Sequence, residues 1–531
     1  MTYHSPVRTR LATVALALLV AGCRRSDPSS ETLYLAMDQD VLTLDPHSHD
    51  DSVTHSVLSN VYDPLVTFDR TMRIVPALAD SWQNPSDLVW QFHLRAGATF
   101  HDGRPVTAAD VAYSLERARR TKVAHYLPPE STVEVVDART FEIHTATPEP
   151  ILLNKLAVVG IVPDGTPDVL RDAVGTGAYR VVEYRKGERL EVAANDAWWG
   201  GRPSLRKAVF RTLPDPAQRA RALASREIQL ARDVTARDLD ASVDARHVRF
   251  LSEAGLVVVF LGVDFRNPGP LLSREVRRAI FLAIDPRELI RDSGVEGTPS
   301  DQLVPASVFG FLPGFDPGRP RLDLARRLLR EAGYPEGLAL TLEMPKTVAA
   351  RVGAELAEQL GRVGIRLEIV GLDWPVLSSR LDRGESPFFS VGWACFGDAS
   401  DLLDAVLHTR SGSTLGSSNF GGYSNAALDE AIERAGRTME PTHRAEALHD
   451  AMRLCLEELP LIPLYLRKRT YGVDERVRFV PRLNGQVVLS ELSWAGSPAA
   501  PVSRRRAGSE RRARLQSSSA SRSSTTACFP A

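Results

Sequence analysis

Cysteine is scarce in this 531-residue chain: Cys23, Cys395, Cys455 and Cys528 are the whole set. Their spacings match no metal or redox motif, which excludes a disulfide-dense or zinc-ribbon scaffold. A Cys395–Cys455 disulfide and two free thiols both fit the count. Aromatics stand at only 7%, and Gly and Pro are scattered, which excludes collagen-like, coiled-coil and wholly disordered chains. Long apolar runs are missing except at the extreme N-terminus, so a multi-span membrane protein is excluded. There is no nucleophile elbow, no His-Glu-x-x-His and no phosphate loop, so no enzyme is expected. His47, His49, Asp50, Asp51 and His55 follow no metal-ligand spacing, and no metal or cofactor is expected. Net positive charge is lacking too. The formal charge is −1, and it falls to −9 over residues 23–497 once the leader and the Arg-rich tail are set aside. A body that acidic is a poor nucleic-acid binder.

What is present is ordinary globular material: 43% apolar and 25% charged residues, in a length that suits about three structural units at roughly 100–200 residues each. Arg8 and Arg10 precede the apolar stretch Leu11 to Val20, too short to anchor as a membrane span. It ends in Val20-Ala21-Gly22-Cys23, which resembles a bacterial lipobox. That resemblance implies cleavage before Cys23, acylation of Cys23, and export to the cell envelope, in the periplasm or on the outer face of the cytoplasmic membrane. Each buried methylene of such a lipid contributes ~0.8 kcal/mol of membrane affinity. Residues 23–30 read as a tether, and residues 498–531, rich in Arg and Ser, as a disordered basic tail.

Between them, helix and strand signals alternate. Leu33 to Met37 reads as a strand, and Leu88 to Leu94 alternates with the period of a half-buried one. The turn His101-Asp102-Gly103 precedes a capping box, Thr107 to Asp110, that opens a helix toward Arg119. Asp215-Pro216 starts a helix through Ser225, and Ser273 caps one in which Val276, Ala279, Ile280 and Ala283 recur at helical spacing. Val257 to Val263 reads as a fully buried strand. Further helices fit Ala349 to Leu360, Asn425 to Ala435 and His443 to Leu459, with strands at Arg366 to Val370 and Phe388 to Gly392. The mixture gives an α/β class.

An ordered series of segments then stands out: Pro76 to Trp82, Trp90 to Val111, Gly175 to Tyr179, Asn195 to Pro203, Val276 to Asp285, Leu328 to Pro335 and Gly422 to Asn425. Together they resemble the family 5 extracellular solute-binding proteins, the peptide and nickel group serving ABC importers. The resemblance implies a bilobal fold like that of the type II periplasmic binding proteins, with an additional domain inserted in the N-terminal lobe. By that analogy residues 31–62, 184–262 and 470–497 form lobe I, 63–183 the additional domain and 263–469 lobe II. It implies a monomeric lipoprotein that captures a peptide or peptide-like small solute. Its partners are an ABC permease with its ATPase subunits and, through the lipid, a membrane. Capture of a metal chelate or an oligosaccharide suits the same architecture, as does solute sensing without transport. Trp82, Trp90, Phe92 and Phe100 of the signature are expected to maintain the fold.

Peptide-binding members of that family place an aspartate three residues past a Gly-Trp pair, where it meets the peptide's terminal ammonium. Here Gly392-Trp393-Ala394 leads to Phe396 instead. A buried ammonium left without its partner costs ~3–5 kcal/mol, so a free α-amine is disfavoured unless Asp398 or Asp401 takes over. Trp374 and Trp393 are expected to stack on the solute, and Arg380 resembles a carboxylate-anchoring arginine. Asn419, Asp38 and His47 belong to segments that approach the cleft in relatives, and Cys23 carries the lipid.

Overall fold

The computed structural model describes residues 32–170, 172–411 and 415–496. The leader, Cys23, the whole tether and the Arg-rich tail lie outside the described residues. Among those described, no helix is long and apolar enough to cross a membrane.

One eleven-stranded sheet runs through the molecule. One half is built on the parallel strands Leu33–Met37, Lys207–Thr212 and Leu230–Arg232, with the antiparallel strands Arg189–Ala194 and Tyr179–Arg185 at its edge. The other half holds Leu338–Pro345, Ile365–Leu372 and Phe388–Ala394, also parallel. Two long strands, Val248–Val263 and Leu461–Asp474, pair antiparallel along their length and belong to both halves. The molecule is therefore bilobal with a ribbon between its lobes. The strand expected at Val257 to Val263 is only the second part of a longer one, because its first part, Val248 to Ala254, follows no apolar period. Expected divisions at 183/184, 262/263 and 469/470 fall inside strands, since strand period carries no mark of a crossing between lobes.

The ribbon is interrupted where its register shifts between Ala254 and Val257. Gly255 sits there with its backbone against the opposite strand: a Cβ at this position would stand 2.4 Å from the Arg467 carbonyl oxygen. A glycine at a bulge lets the ribbon twist where a side chain would not fit.

A separate four-stranded antiparallel sheet, Ala79–Ser86, Val89–Leu94, Thr140–His144 and Thr132–Val135, carries the signature segment. Trp90, Phe92 and Phe100 are buried, and Phe92 stacks on Phe141 at 5.2 Å between ring centroids. Gly103 takes φ +88° in the turn before the helix Ala108–Ala118, whose Thr107/Asp110 capping box is formed. These residues are core and turn, as their spacing suggests. Asp215 and Ser273 cap their helices as expected. The helix read from Ala349 begins with a π turn, Ala349–Gly353, before Ala354–Gly361 continues as α. Cys395 and Cys455 are buried free thiols, so the disulfide is not made.

Candidate binding cleft

Strand directions decide where the two lobes meet. Leu230–Arg232 is antiparallel to Leu461–Asp474, so its carboxyl end points along the ribbon toward the second lobe. Phe388–Ala394 is antiparallel to Val248–Val263, so its carboxyl end points back toward the first. Ligands of open α/β sheets bind outside the carboxyl ends of the strands, and here two such ends, on opposite edges of the two-stranded ribbon, are each directed toward the other lobe on either side of the bulge. Arg232 is level with Tyr471, whereas Ala394 is level with Val257 and hence Arg467. Four residues of strand separate the levels, about 13 Å along the ribbon.

On the second-lobe side, Gly392 is exposed and Trp393 half-buried, its indole Nε1–H donating to the Asp401 carbonyl at 3.1 Å. A Cβ on Gly392 would meet Val257 at 2.9 Å. Ala394 is half-buried beside it. Phe396 is 39% exposed, and its backbone N–H donates to the Asp401 carboxylate at 2.5 Å. Asn154 of the inserted region reaches the Phe396 carbonyl at 3.4 Å. Trp374, the first residue of the helix Trp374–Arg383, is 55% exposed.

The carboxylates have separate fates. Asp398 is buried and gripped by the Arg444 guanidinium at 2.7 and 2.8 Å, so it is spent and does not stand in for the missing aspartate. Asp401 and Asp404 have no cation within ion-pair distance among the described residues. Burial, with Asp398 nearby, pushes the Asp401 carboxyl up to about 7. Burial, Asp398 and Asp401 together push Asp404 up to about 8. The inserted region approaches the same place: the Tyr126 hydroxyl donates to Asp50 at 2.8 Å, and Asp401 acts on it electrostatically.

Three of the remaining candidates, Arg380, Asn419 and His47, are occupied elsewhere. Arg380 is bound to Glu343 at 2.7 and 3.0 Å, since the helix Trp374–Arg383 packs on the strand Leu338–Pro345. Asn419 is buried and ties His408 and Tyr423 backbone groups into a local knot. His47 is buried; Nε2 bonds the Gly160 carbonyl at 2.8 Å, Nδ1 faces Arg117 at 3.0 Å, and burial pushes its pKa down to about 4. It belongs to the Asp45–Arg117 clasp between the first lobe and the inserted region. Asp51 caps the helix Ser52–Leu58. Asp38 follows the strand Leu33–Met37, and its buried Oδ1 has no partner. Asp404, Tyr126, Arg232 and Tyr471 were not legible as site candidates. Asp404 has only an i+3 relation to Asp401, and the others carry no local motif.

The model of the bacterial extracellular solute-binding proteins of family 5 (middle) matches residues 73–414. The glutathione-binding protein GsiB of Pectobacterium atrosepticum is 27% identical over 461 residues, covering 82% of this chain and 88% of that protein. The dipeptide-binding protein of Escherichia coli is 25% identical over 445 residues, covering 76% and 83%. Among solved structures, the ABC transporter substrate-binding protein CtaP of Listeria monocytogenes shares the fold with a TM-score of 0.79 at 21% identity, covering 87% of this chain and 99% of its own. DppA of Helicobacter pylori in complex with the peptide STSA has a TM-score of 0.69 at 24% identity, covering 87% and 98%.

Proposed function

This chain belongs to the bacterial extracellular solute-binding proteins of family 5, and on that premise we propose that it captures a peptide or peptide-like small solute between its lobes for delivery to an ABC permease. The observation that carries this reading is the pair of strand ends, one from each lobe, directed toward the opposite lobe along a bulged ribbon. A solute that touches both ends favours the closed form by its differential affinity, and only such a solute shifts the population. The chemistry is capture without turnover, by a monomer.

Support for a peptide-like solute comes from relatives named for glutathione and dipeptides. The solute's amine faces Asp401 and Asp404 rather than position 396. Trp393, Phe396 and Trp374 supply flat apolar surface for its side chains. The lipid on Cys23 holds the protein to the membrane, a reading supported by Val20-Ala21-Gly22-Cys23 alone.

Native mass spectrometry of the purified full chain, with small-angle scattering before and after removal of the carried compound, tests the reading. A small amine-bearing solute that compacts the molecule is expected. A chain that compacts with no solute, or returns its solute chemically changed, overturns it.

A further inference from the structure

Seven arginines are buried among the described residues, and six of them are used. Arg117 holds Asp45, Arg444 holds Asp398, Arg319 holds Asp301 and Arg482 holds Glu491. Arg219 and Arg277 bind backbone carbonyls. Arg232 is the exception. It is 2% exposed, its Nη1 is sealed from solvent without a partner, and its guanidinium makes no hydrogen bond or ion pair among the described residues.

Its neighbours share the condition. Tyr471, level with Arg232 in the ladder, is fully buried with a hydroxyl that has no partner. Arg469 lies two residues back on the same face of that strand, half-buried, and it too has no ion pair. It rests against Gly485, where an added Cβ would stand 3.1 Å from Arg469 Nε. Burial and the Arg232 charge hold the Arg469 guanidinium below its ordinary value. Asp233 and Glu253 act on this group electrostatically, but neither comes within ion-pair distance.

A cation taken out of water without a counter-charge costs stability. Here the cost falls at the carboxyl end of a first-lobe strand that points toward the second lobe, where a solute can supply the missing charge. The planar arginine fork matches a carboxylate or phosphate in two parallel contacts, and a phenol hydroxyl donates a third. We propose that Arg232, Arg469 and the Tyr471 hydroxyl form an oxyanion-binding subsite on the first lobe that takes a carboxylate or phosphate group of the captured solute. The inference rests on the capture reading and adds the solute's charge: with Asp401 and Asp404 on the opposite wall, the solute is a zwitterion whose anionic end is held by the first lobe.

The test uses the full chain and its Arg232→Met, Arg232→Lys and Arg469→Gln variants, followed by thermal unfolding with and without succinate or inorganic phosphate. Without added anion, Arg232→Met is expected to melt at or above the parent temperature, because the charge it removes has no partner. A merely structural arginine gives a lower Tm. Both anions raise the parent's Tm, and the apparent affinity falls at least tenfold in Arg232→Met and Arg469→Gln, with partial recovery in Arg232→Lys. The compound found by native mass spectrometry carries a carboxylate or phosphate. A carried compound with no anionic group, or anion protection equal in parent and variants, overturns the subsite. Solute-driven compaction that ignores Arg232 also overturns it and leaves capture standing. Anion protection that depends on Arg232, in a chain that compacts with no solute, supports the subsite and removes capture.

Discussion

Asp398 and Arg444 are joined by two parallel contacts of 2.7 and 2.8 Å inside the second lobe, and the Phe309 ring lies 5.3 Å from the same guanidinium. This pairing separates two aspartates that look alike in sequence. Asp398 is a structural anion, and Asp401, three residues on, is left without a cation.

Removing one partner of the buried pair leaves the other charge uncompensated. Asp398→Ala or Arg444→Ala is expected to lower unfolding free energy by about 3–5 kcal/mol, read by urea denaturation. Asp401→Asn should leave stability unchanged or slightly higher and instead weaken binding of an amine-bearing solute. Equal destabilisation by both aspartate changes would remove the distinction.

The raised carboxyls of Asp401 and Asp404 set a pH dependence. Their folded-state values of about 7 and about 8 stand above the ordinary 3.8, so the folded chain binds more protons than the unfolded one in between. The contribution of these two carboxyls to the stability of the solute-free protein therefore falls as pH rises from 5 toward 9, and comparison of the parent with Asp401→Asn isolates it. A cationic solute has the opposite effect on the site: it favours the ionised carboxylates, so its binding releases protons and strengthens between pH 6 and 8. Calorimetry in buffers of different ionisation enthalpy measures the release, and Asp401→Asn should diminish it.

At position 396 the side chain is partly exposed while the backbone N–H is held by Asp401. Phe396→Asp restores a carboxylate at the position used by peptide-binding relatives. It should tighten binding of alanyl-alanine at least tenfold, about 1.4 kcal/mol, in a tryptophan-emission titration. No gain would place the ammonium site elsewhere.

Gly255→Ala drives a Cβ to within 2.4 Å of the Arg467 carbonyl. Backbone cannot yield as a flexible side chain would, so a loss of about 1–3 kcal/mol is expected, as for other overpacked sites. Scattering should show the ribbon's closing motion altered as well, whereas Gly361→Ala, with open space around it, should change neither.

Local chemistry was readable wherever a few neighbouring residues settle the outcome. The Thr107/Asp110 box, the Asp215-Pro216 and Ser273 caps, and the alternation through Val89–Leu94 each satisfy their own backbone or core contacts within a turn or a strand. The ordered segments from Pro76 to Asn425 sufficed for the family and the bilobal class. In the sequence Arg380, Asn419 and His47 read as solute contacts, because nothing local reveals Glu343, the Tyr423 knot or Arg117 as their partners.

What the amino-acid order determined by itself was therefore the set of elements and the fold they belong to, through caps, periods and motifs that act over short distances. Only tertiary structure decided which charges are satisfied. Asp45 meets Arg117 through chain segments far apart in sequence, whereas Arg232, level with Tyr471, meets no counter-charge among the described residues. A charge is neutralised by whatever stands within a few ångströms of it in space, and folding sets that distance.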